Sequence, residues 1–144
     1  MHRTFLLDTN ILLAALIAPE KLTGEVADWI ATPYYSVYFS SASIWEIAIK
    51  YSLNRSGFNF SPADIHRLAV QTGFTELPVH AEHCYPLASM PWHHKDPFDR
   101  LLLAQARSLP AHLLTSDPLL VQYSDLVISI TFLNGSDLPH KNPS

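Results

Sequence analysis

Cysteine and long apolar runs are scarce in this chain of 144 residues. Its single cysteine, Cys84, excludes an intrachain disulfide. The longest uncharged apolar run, residues 11–19, is far shorter than the roughly 20 residues that a membrane-spanning helix requires. The start, MHRTFLLDTN, reaches an acid too early to contain the apolar core of a secretion signal. We therefore expect a cytoplasmic protein without a membrane anchor.

Charged residues are also few, at 15% of the chain against 48% hydrophobic. This balance argues against disorder and favours one globular domain with a sizeable core, over residues 1–133, followed by a polar tail over 134–144. The net charge of −4, from 9 basic and 13 acidic residues, at first weighs against a nucleic-acid partner. If four acids bind metal, however, the other nine balance the nine bases, and each bound ion adds positive charge. Net charge therefore does not exclude nucleic acid.

Apolar runs that end in turns alternate with segments of helical pattern along the chain. The predicted strands cover residues 4–7, 36–39, 74–79, 111–114 and 126–130. The predicted helices cover 9–18, 23–31, 40–53, 61–71 and 80–89, and a last one that begins near Asp96. Strands that alternate with helices predict an α/β fold, in which helices flank a parallel β-sheet on both faces.

Acidic residues occur where these strands end. Asp8 ends the first strand, Asp117 follows the fourth, and Asp99 opens the helix in HHKDPFDRLLLAQA. The carboxyl ends of parallel strands meet at one edge of the sheet, so these acids are expected to lie close together. Glu46 interrupts the apolar helical stretch IWEIAI, where an unpartnered carboxylate is costly to bury. Converging carboxylates repel one another, and a hard divalent cation such as Mg²⁺ or Mn²⁺ relieves that repulsion.

Each acid also has a plain local explanation. Asp8 and Asp96 can cap the helices that follow them, and Asp117 can initiate an Asp-Pro turn. Glu46 lies four residues before Lys50, which is the favourable spacing for a helical ion pair. Taken together, acids at three strand ends and one on an apolar helical face favour a shared metal site over separate roles.

An oxygen-ligated divalent ion suits phosphodiester hydrolysis, because it lowers the pKa of a bound water, orients that water and neutralises charge on the phosphate. No protein nucleophile is then needed. We expect Asp8, Asp99 and Asp117 to bind the metal, and Glu46 to bind metal or steer water. The polar residues that flank the acids are expected to hold them by hydrogen bonds; these are Thr9, Asn10, Thr115 and Ser116.

Four segments in this order, LLDTNILL, SSASIWEIAIK, HHKDPFDRLLLAQA and LLTSDPLL, resemble the motif regions of PIN-domain proteins, particularly the VapC toxins of bacterial toxin–antitoxin pairs. The resemblance implies a PIN-like three-layer sandwich and a Mg²⁺-dependent endoribonuclease. It also implies restraint by a cognate antitoxin and a homodimer. The family's acids fall on Asp8, Glu46, Asp99 and Asp117. Asp96 lies in the same motif, and we expect Asp99 to be the ligand and Asp96 the cap.

Four basic residues are candidates to guide an RNA backbone: Lys50, Arg55, Lys95 and Arg100. Arg100 and Arg107 lie seven residues apart and share one helical face, so an ordinary solvated face explains them equally well.

Three other interpretations stay open. A strand that ends in Asp also opens haloacid-dehalogenase-type phosphatases, but their second Asp is replaced here by Asn10. The chain could instead be a catalytically silent interaction protein with the aromatic stretch PYYSVYF and Trp29 as its contact surface, although core packing explains these residues better. An irregular cluster suggests a zinc site, at His80, His83, Cys84, His93 and His94.

Overall fold

A computed structural model describes residues 2–53 and 59–133 and contains one parallel sheet of five strands, in the order β3-β2-β1-β4-β5. The strands are β1 Thr4–Leu7, β2 Ser36–Ser40, β3 Thr75–Leu77, β4 His112–Thr115 and β5 Val127–Ser129. The α-helices are α1 Thr9–Ile17, α2 Gly24–Ala31, α3 Ser41–Ser52, α4 Pro62–Thr72, α5 Ala81–Cys84 and α6 Pro97–Ser108. Short 3-10 turns cover Pro19–Lys21, Tyr85–Ala88 and Pro118–Tyr123. The predicted α/β fold is confirmed.

The central strand β1 shows how the sheet is buried on both faces. Successive side chains of a strand point to opposite faces, so Phe5 and Leu7 enter one core cluster and Leu6 the other. The first cluster contains side chains of α1, α2 and α4, whereas the second is built largely from α6. Helices on both faces make the three-layer sandwich that the resemblance implied, and they explain why the strand is a continuous apolar run.

The segment predicted as one helix over residues 80–89 is not a single helix. It forms the four-residue α5 and then the 3-10 turn Tyr85–Ala88. Pro86 lacks the amide hydrogen that a continuing α-helix needs, which explains the interruption. Strand β3 is likewise shorter than the predicted 74–79, and it ends before Pro78, which cannot donate to a strand ladder. The predicted stop of α4 at Gly73 is confirmed, with a left-handed φ of 103° that glycine adopts without strain.

The aromatic stretch PYYSVYF packs mainly into the core. Trp29 stacks on Phe5 with ring centroids 5.3 Å apart, and Tyr35 meets the same ring edge-on at 5.8 Å. Phe39 is fully buried, whereas Tyr34 stays 78% exposed. Core packing therefore accounts for most of the stretch, as the sequence favoured, while Tyr34 remains on the surface.

No helix among residues 2–53 and 59–133 is both long and apolar enough to cross a membrane. The expected polar tail, residues 134–144, lies outside the described residues, so the domain boundary at 133 stays a prediction.

Candidate functional site

A cleft of about 360 Å³ contains the acids that the sequence singled out. Two follow strands: Asp8 comes directly after β1, and Asp117 lies two residues after the end of β4. Glu46 comes from α3 and Asp99 from the first turn of α6. All four line the cleft, together with Thr9, Asn10, Lys50, His94, Asp96, Ser116 and Pro118. Acids up to 109 positions apart in the chain thus share one polar pocket, while their roles as ligands or catalysts stay predictions.

Asp8 divides its two carboxylate oxygens between a cap and the neighbouring strand end. Oδ1 accepts the Ile11 backbone N–H at 2.8 Å and so caps α1. Oδ2 accepts the Thr115 hydroxyl at 2.7 Å and the Ser116 N–H at 3.3 Å. The side chain is therefore fixed on both sides and almost fully buried, at 4% exposure. Capping and a place in the cleft are compatible roles for this acid.

Glu46 also combines a helical ion pair with a place in the cleft. Its Oε2 lies 3.2 Å from Lys50 Nζ, which is the ion pair expected from their spacing. Its Oε1 accepts the Thr9 hydroxyl at 2.7 Å, and Thr9 Oγ1 lies 2.9 Å from Ser43 Oγ. Contacts from α1 and from its own helix hold the Glu46 carboxylate at the pocket.

Asp99 and Asp117 share a partner that sequence reasoning did not assign to this site. His94 Nε2 lies 2.8 Å from Asp99 Oδ2 and 3.2 Å from Asp117 Oδ2. Asp117 uses its other oxygen, Oδ1, to accept the Leu119 N–H at 3.0 Å, so the predicted local role after β4 is also present. The one signal for His94 was its place two residues before the Asp96-Pro97 cap of the same motif, and that signal is too weak to select it.

Asp96 is the cap of α6, as predicted. Its Oδ1 accepts the N–H of Phe98 at 2.9 Å and that of Asp99 at 3.4 Å. It also lines the cleft. Asn10 donates from Nδ2 to Ser116 Oγ at 3.4 Å, while its Oδ1 is buried and has no hydrogen-bond partner within the described part of the chain.

Burial raises the pKa values of two of the acids. For Asp8, burial raises the pKa from 3.8 to about 6 against the opposing hydrogen bonds from Ile11, Thr115 and Ser116, and the Glu46 charge adds to the rise. For Asp99, burial is again the main cause and raises the pKa to about 7, opposed by the His94 hydrogen bond and reinforced by the Asp8 charge. Both carboxylates are thus held in an environment that disfavours their charge.

This environment fits a divalent cation. Among residues 2–53 and 59–133, one group of three or more His, Cys, Asp or Glu side chains can share an ion, and it consists of His94, Asp99 and Asp117, with ligand atoms within 4.8 Å of one another. Asp8 and Glu46 line the same cleft. A predominantly carboxylate donor set suits hard ions such as Mg²⁺ and Mn²⁺, which also relieve the repulsion between the acids.

The proposed zinc cluster does not form as the sequence suggested. The His80 N–H donates to His83 Nδ1 at 2.9 Å, and Cys84 is exposed. His93 lies against the Tyr123 ring, with centroids 5.2 Å apart. His94 lies with acids instead, so the five residues do not make one histidine and cysteine site.

The basic candidates have different surroundings. Lys50 lines the cleft and Lys95 is exposed, while Arg55 lies outside the described residues. Arg100 is 3% exposed, so the predictions that it guides RNA or lies on a solvated face are wrong. Its guanidinium instead donates to backbone carbonyls of Leu87, Met90, Pro91 and His94. A planar donor group suits this task, because it satisfies several carbonyls at once.

Comparisons with known proteins agree with this architecture. The family model described as PIN domain matches residues 5–126. A chain of VapBC2 from Rickettsia felis, solved with a DNA fragment from the promoter, is 15% identical, with a TM-score of 0.64 over 88% of this chain and 98% of that chain. A chain of VapBC-1 from nontypeable Haemophilus influenzae is 19% identical, with a TM-score of 0.60 over 83% and 91%.

Mycobacterium tuberculosis VapC20, described as a Sarcin-Ricin loop cleaving toxin, is 18% identical, with a TM-score of 0.52 over 75% of this chain and 85% of that chain. At these identities the structural likeness shows the fold. A search of curated proteins found no match.

Proposed function

Because this chain belongs to the PIN domain family, we propose that it is a Mg²⁺-dependent endoribonuclease, the toxin of a bacterial type II toxin–antitoxin pair. It hydrolyses RNA phosphodiester bonds in the cytoplasm, works as a homodimer and is restrained by a cognate antitoxin; Mn²⁺ is the expected substitute ion. The observation that carries the proposal is the single cleft lined by Asp8, Glu46, Asp99 and Asp117.

The structural neighbours support two parts of this proposal, the antitoxin partner and the nuclease activity. The Rickettsia and Haemophilus structures are VapBC complexes, and another similar structure is a toxin–antitoxin complex from Klebsiella pneumoniae. VapC20 is described as a cleaving toxin. An antitoxin partner and a nuclease activity are therefore the functions that we carry over to this chain.

In this proposal Asp8, Asp99 and Asp117 hold the ion. When bound, a divalent ion supplies a water molecule of lowered pKa and neutralises charge on phosphate oxygens. Thr115 and Ser116 fix the Asp8 carboxylate by hydrogen bonds, so that its orientation needs no adjustment when the substrate arrives.

Glu46 and Lys50 carry the remaining roles. The Thr9 hydroxyl fixes one oxygen of Glu46, which leaves the carboxylate oriented to accept a hydrogen bond from a water molecule or to bind metal. Lys50 pairs with the other oxygen and supplies a positive charge in the cleft wall for an RNA phosphate. Binding that depends on such contacts weakens as salt rises.

The direct test is cleavage of RNA by purified protein in Mg²⁺, with sequencing of the RNA ends and a chelator control. We expect Asp8→Asn and Glu46→Gln to lower the rate about 100-fold or more while remaining folded, a loss of the size seen when one charge-stabilising group is removed. The matched control is Asp64→Asn, on the exposed face of α4 with 68% of its side chain accessible, which should cleave like the wild type.

Equal cleavage by all of these variants would point to a contaminating nuclease and contradict the proposal. Ion binding without any cleavage would favour the catalytically silent interaction protein instead.

The partner and the homodimer are tested separately. Light scattering should give about twice the chain mass of 16.2 kDa. A small DNA-binding protein encoded beside this chain should co-purify with it and suppress RNA cleavage. A monomer at all concentrations would refute the homodimer. A neighbouring protein that leaves RNA cleavage unchanged would refute the antitoxin partner.

A further inference from the structure

His94 is a titratable cleft residue to which the proposed function gives no role. We propose that His94 is an imidazole ligand within the carboxylate site, and that it shifts the ion preference of the site from Mg²⁺ toward Mn²⁺. This inference rests on the proposed function, because it requires the cleft to bind a divalent ion.

The position of the imidazole carries the inference. His94 Nε2 lies 2.8 Å from Asp99 Oδ2 and 3.2 Å from Asp117 Oδ2. An ion bound by both acids would therefore lie close enough to this nitrogen to be coordinated by it. The three side chains are sheltered to a similar degree, with exposures of 16% for His94, 20% for Asp99 and 29% for Asp117. Among residues 2–53 and 59–133, His94 is also the one histidine that lines the cleft.

The segment that carries His94 is fixed from two sides. The His94 N–H donates to Tyr123 Oη at 2.9 Å, and its carbonyl accepts from Arg100 Nη1 at 3.4 Å. Tyr123 Oη and Arg100 Nη1 both donate to the Pro91 carbonyl, each at 2.7 Å. The Trp92 ring covers the Arg100 guanidinium at 3.8 Å. These contacts hold the backbone of His94 in place before an ion binds, as a metal ligand requires.

An imidazole changes which ion such a site prefers. Mg²⁺ takes oxygen ligands in strict octahedral geometry and gains little from nitrogen. Mn²⁺ shares the oxygen preference but accepts imidazole more readily, in line with the rise of nitrogen affinity along the first-row metals. A nitrogen beside two carboxylates therefore favours Mn²⁺ more than a site of carboxylates alone does.

Pulsed electron paramagnetic resonance of the Mn²⁺-loaded protein tests the ligand directly, because a bound imidazole gives ¹⁴N modulation of the Mn²⁺ signal. We expect that modulation in the wild type and its loss in His94→Asn, which still binds Mn²⁺. The matched control is His93→Asn, the exposed neighbouring histidine, which should keep the modulation. If His94→Asn does not fold, labelling wild-type histidines with ¹⁵N should replace the ¹⁴N pattern without any substitution.

Calorimetry of the same proteins tests the preference. His94→Asn should bind Mn²⁺ about tenfold more weakly and Mg²⁺ within about threefold of the wild type, because only the softer ion loses a favoured ligand. Equal losses for the two ions would overturn the selectivity.

The outcomes also separate this inference from the proposed function. Bound Mn²⁺ without ¹⁴N modulation in the wild type, together with loss of Mn²⁺ binding in Asp99→Asn, would overturn the role of His94 and leave the metal site standing. Retention of the modulation in His94→Asn would overturn it as well. No Mn²⁺ binding by the wild type would refute both.

Discussion

The buried carboxylate of Asp8 should make the metal-free protein less stable as the pH rises. Its pKa is higher in the folded chain than in the unfolded chain, where it is ordinary, so the native state holds the proton more tightly. The unfolded state therefore binds fewer protons between about pH 4 and about pH 6, and the free energy of unfolding falls across that window. Below it the effect is absent, and above it the effect is complete.

The size of the effect follows from the two pKa values. A rise from 3.8 to about 6 corresponds to about 3 kcal/mol, at about 1.4 kcal/mol per pKa unit. Asp8→Asn removes the titrating group but keeps an oxygen that can cap α1. The variant should therefore lack about 3 kcal/mol of pH dependence relative to the wild type, whatever its stability at any single pH.

Urea unfolding in chelator, at steps between about pH 4 and about pH 7, measures this difference. Asp64→Asn is the control, because Asp64 is exposed on α4, where it pairs with Arg67, and it does not line the cleft; the variant should keep the slope of the wild-type curve. Saturating Mg²⁺ should remove the destabilisation of the wild type by binding the ionised site. Parallel curves for the wild type and Asp8→Asn would refute the burial argument.

Three further predictions follow from the same contacts. Mn²⁺ affinity should rise with pH through about pH 7 and level off about one unit above it, because Asp8 and Asp99 must lose protons that their raised pKa values retain; calorimetry giving a flat profile would count against this. Thr115→Val should cost about 1–2 kcal/mol in urea unfolding, because the buried Asp8 oxygen loses its hydroxyl donor, and an unchanged stability would show that the bond is unimportant. Arg100→Met should cost about 3 kcal/mol or more, because several carbonyls lose a charged donor, whereas Arg67→Met on the exposed face of α4 should cost little; similar losses for both would show that the bonds from Arg100 to these carbonyls do not stabilise the fold.

Much of the fold could be predicted because its determinants are local. Strand β1 ends in an acid that caps the next helix, and Ser61 with Pro62 begins α4 by the capping chemistry that their order predicts. The structure departs from prediction where proline removes a backbone donor, at Pro78 and Pro86. Those departures change the lengths of elements and leave their order intact.

The site was less accessible to sequence reasoning, because its contacts join distant parts of the chain. Acids at strand ends are visible in a sequence, since the parallel topology alone brings such positions together. The pairing of His94 with Asp117 joins two separate loops, and no periodic pattern in the sequence predicts it. The sequence did not predict the burial of Arg100, because its partners are backbone carbonyls. Every residue has such a carbonyl, so no sequence pattern identifies these partners.

The proposed function requires carboxylates from separate elements to bind one divalent ion. Anomalous diffraction from Mn²⁺-soaked crystals tests it most directly. We expect a strong Mn²⁺ peak within ligand distance of Asp8 and Asp99, and its loss in Asp99→Asn. A peak elsewhere on the molecule, with these carboxylates bound only to protein groups, would contradict it.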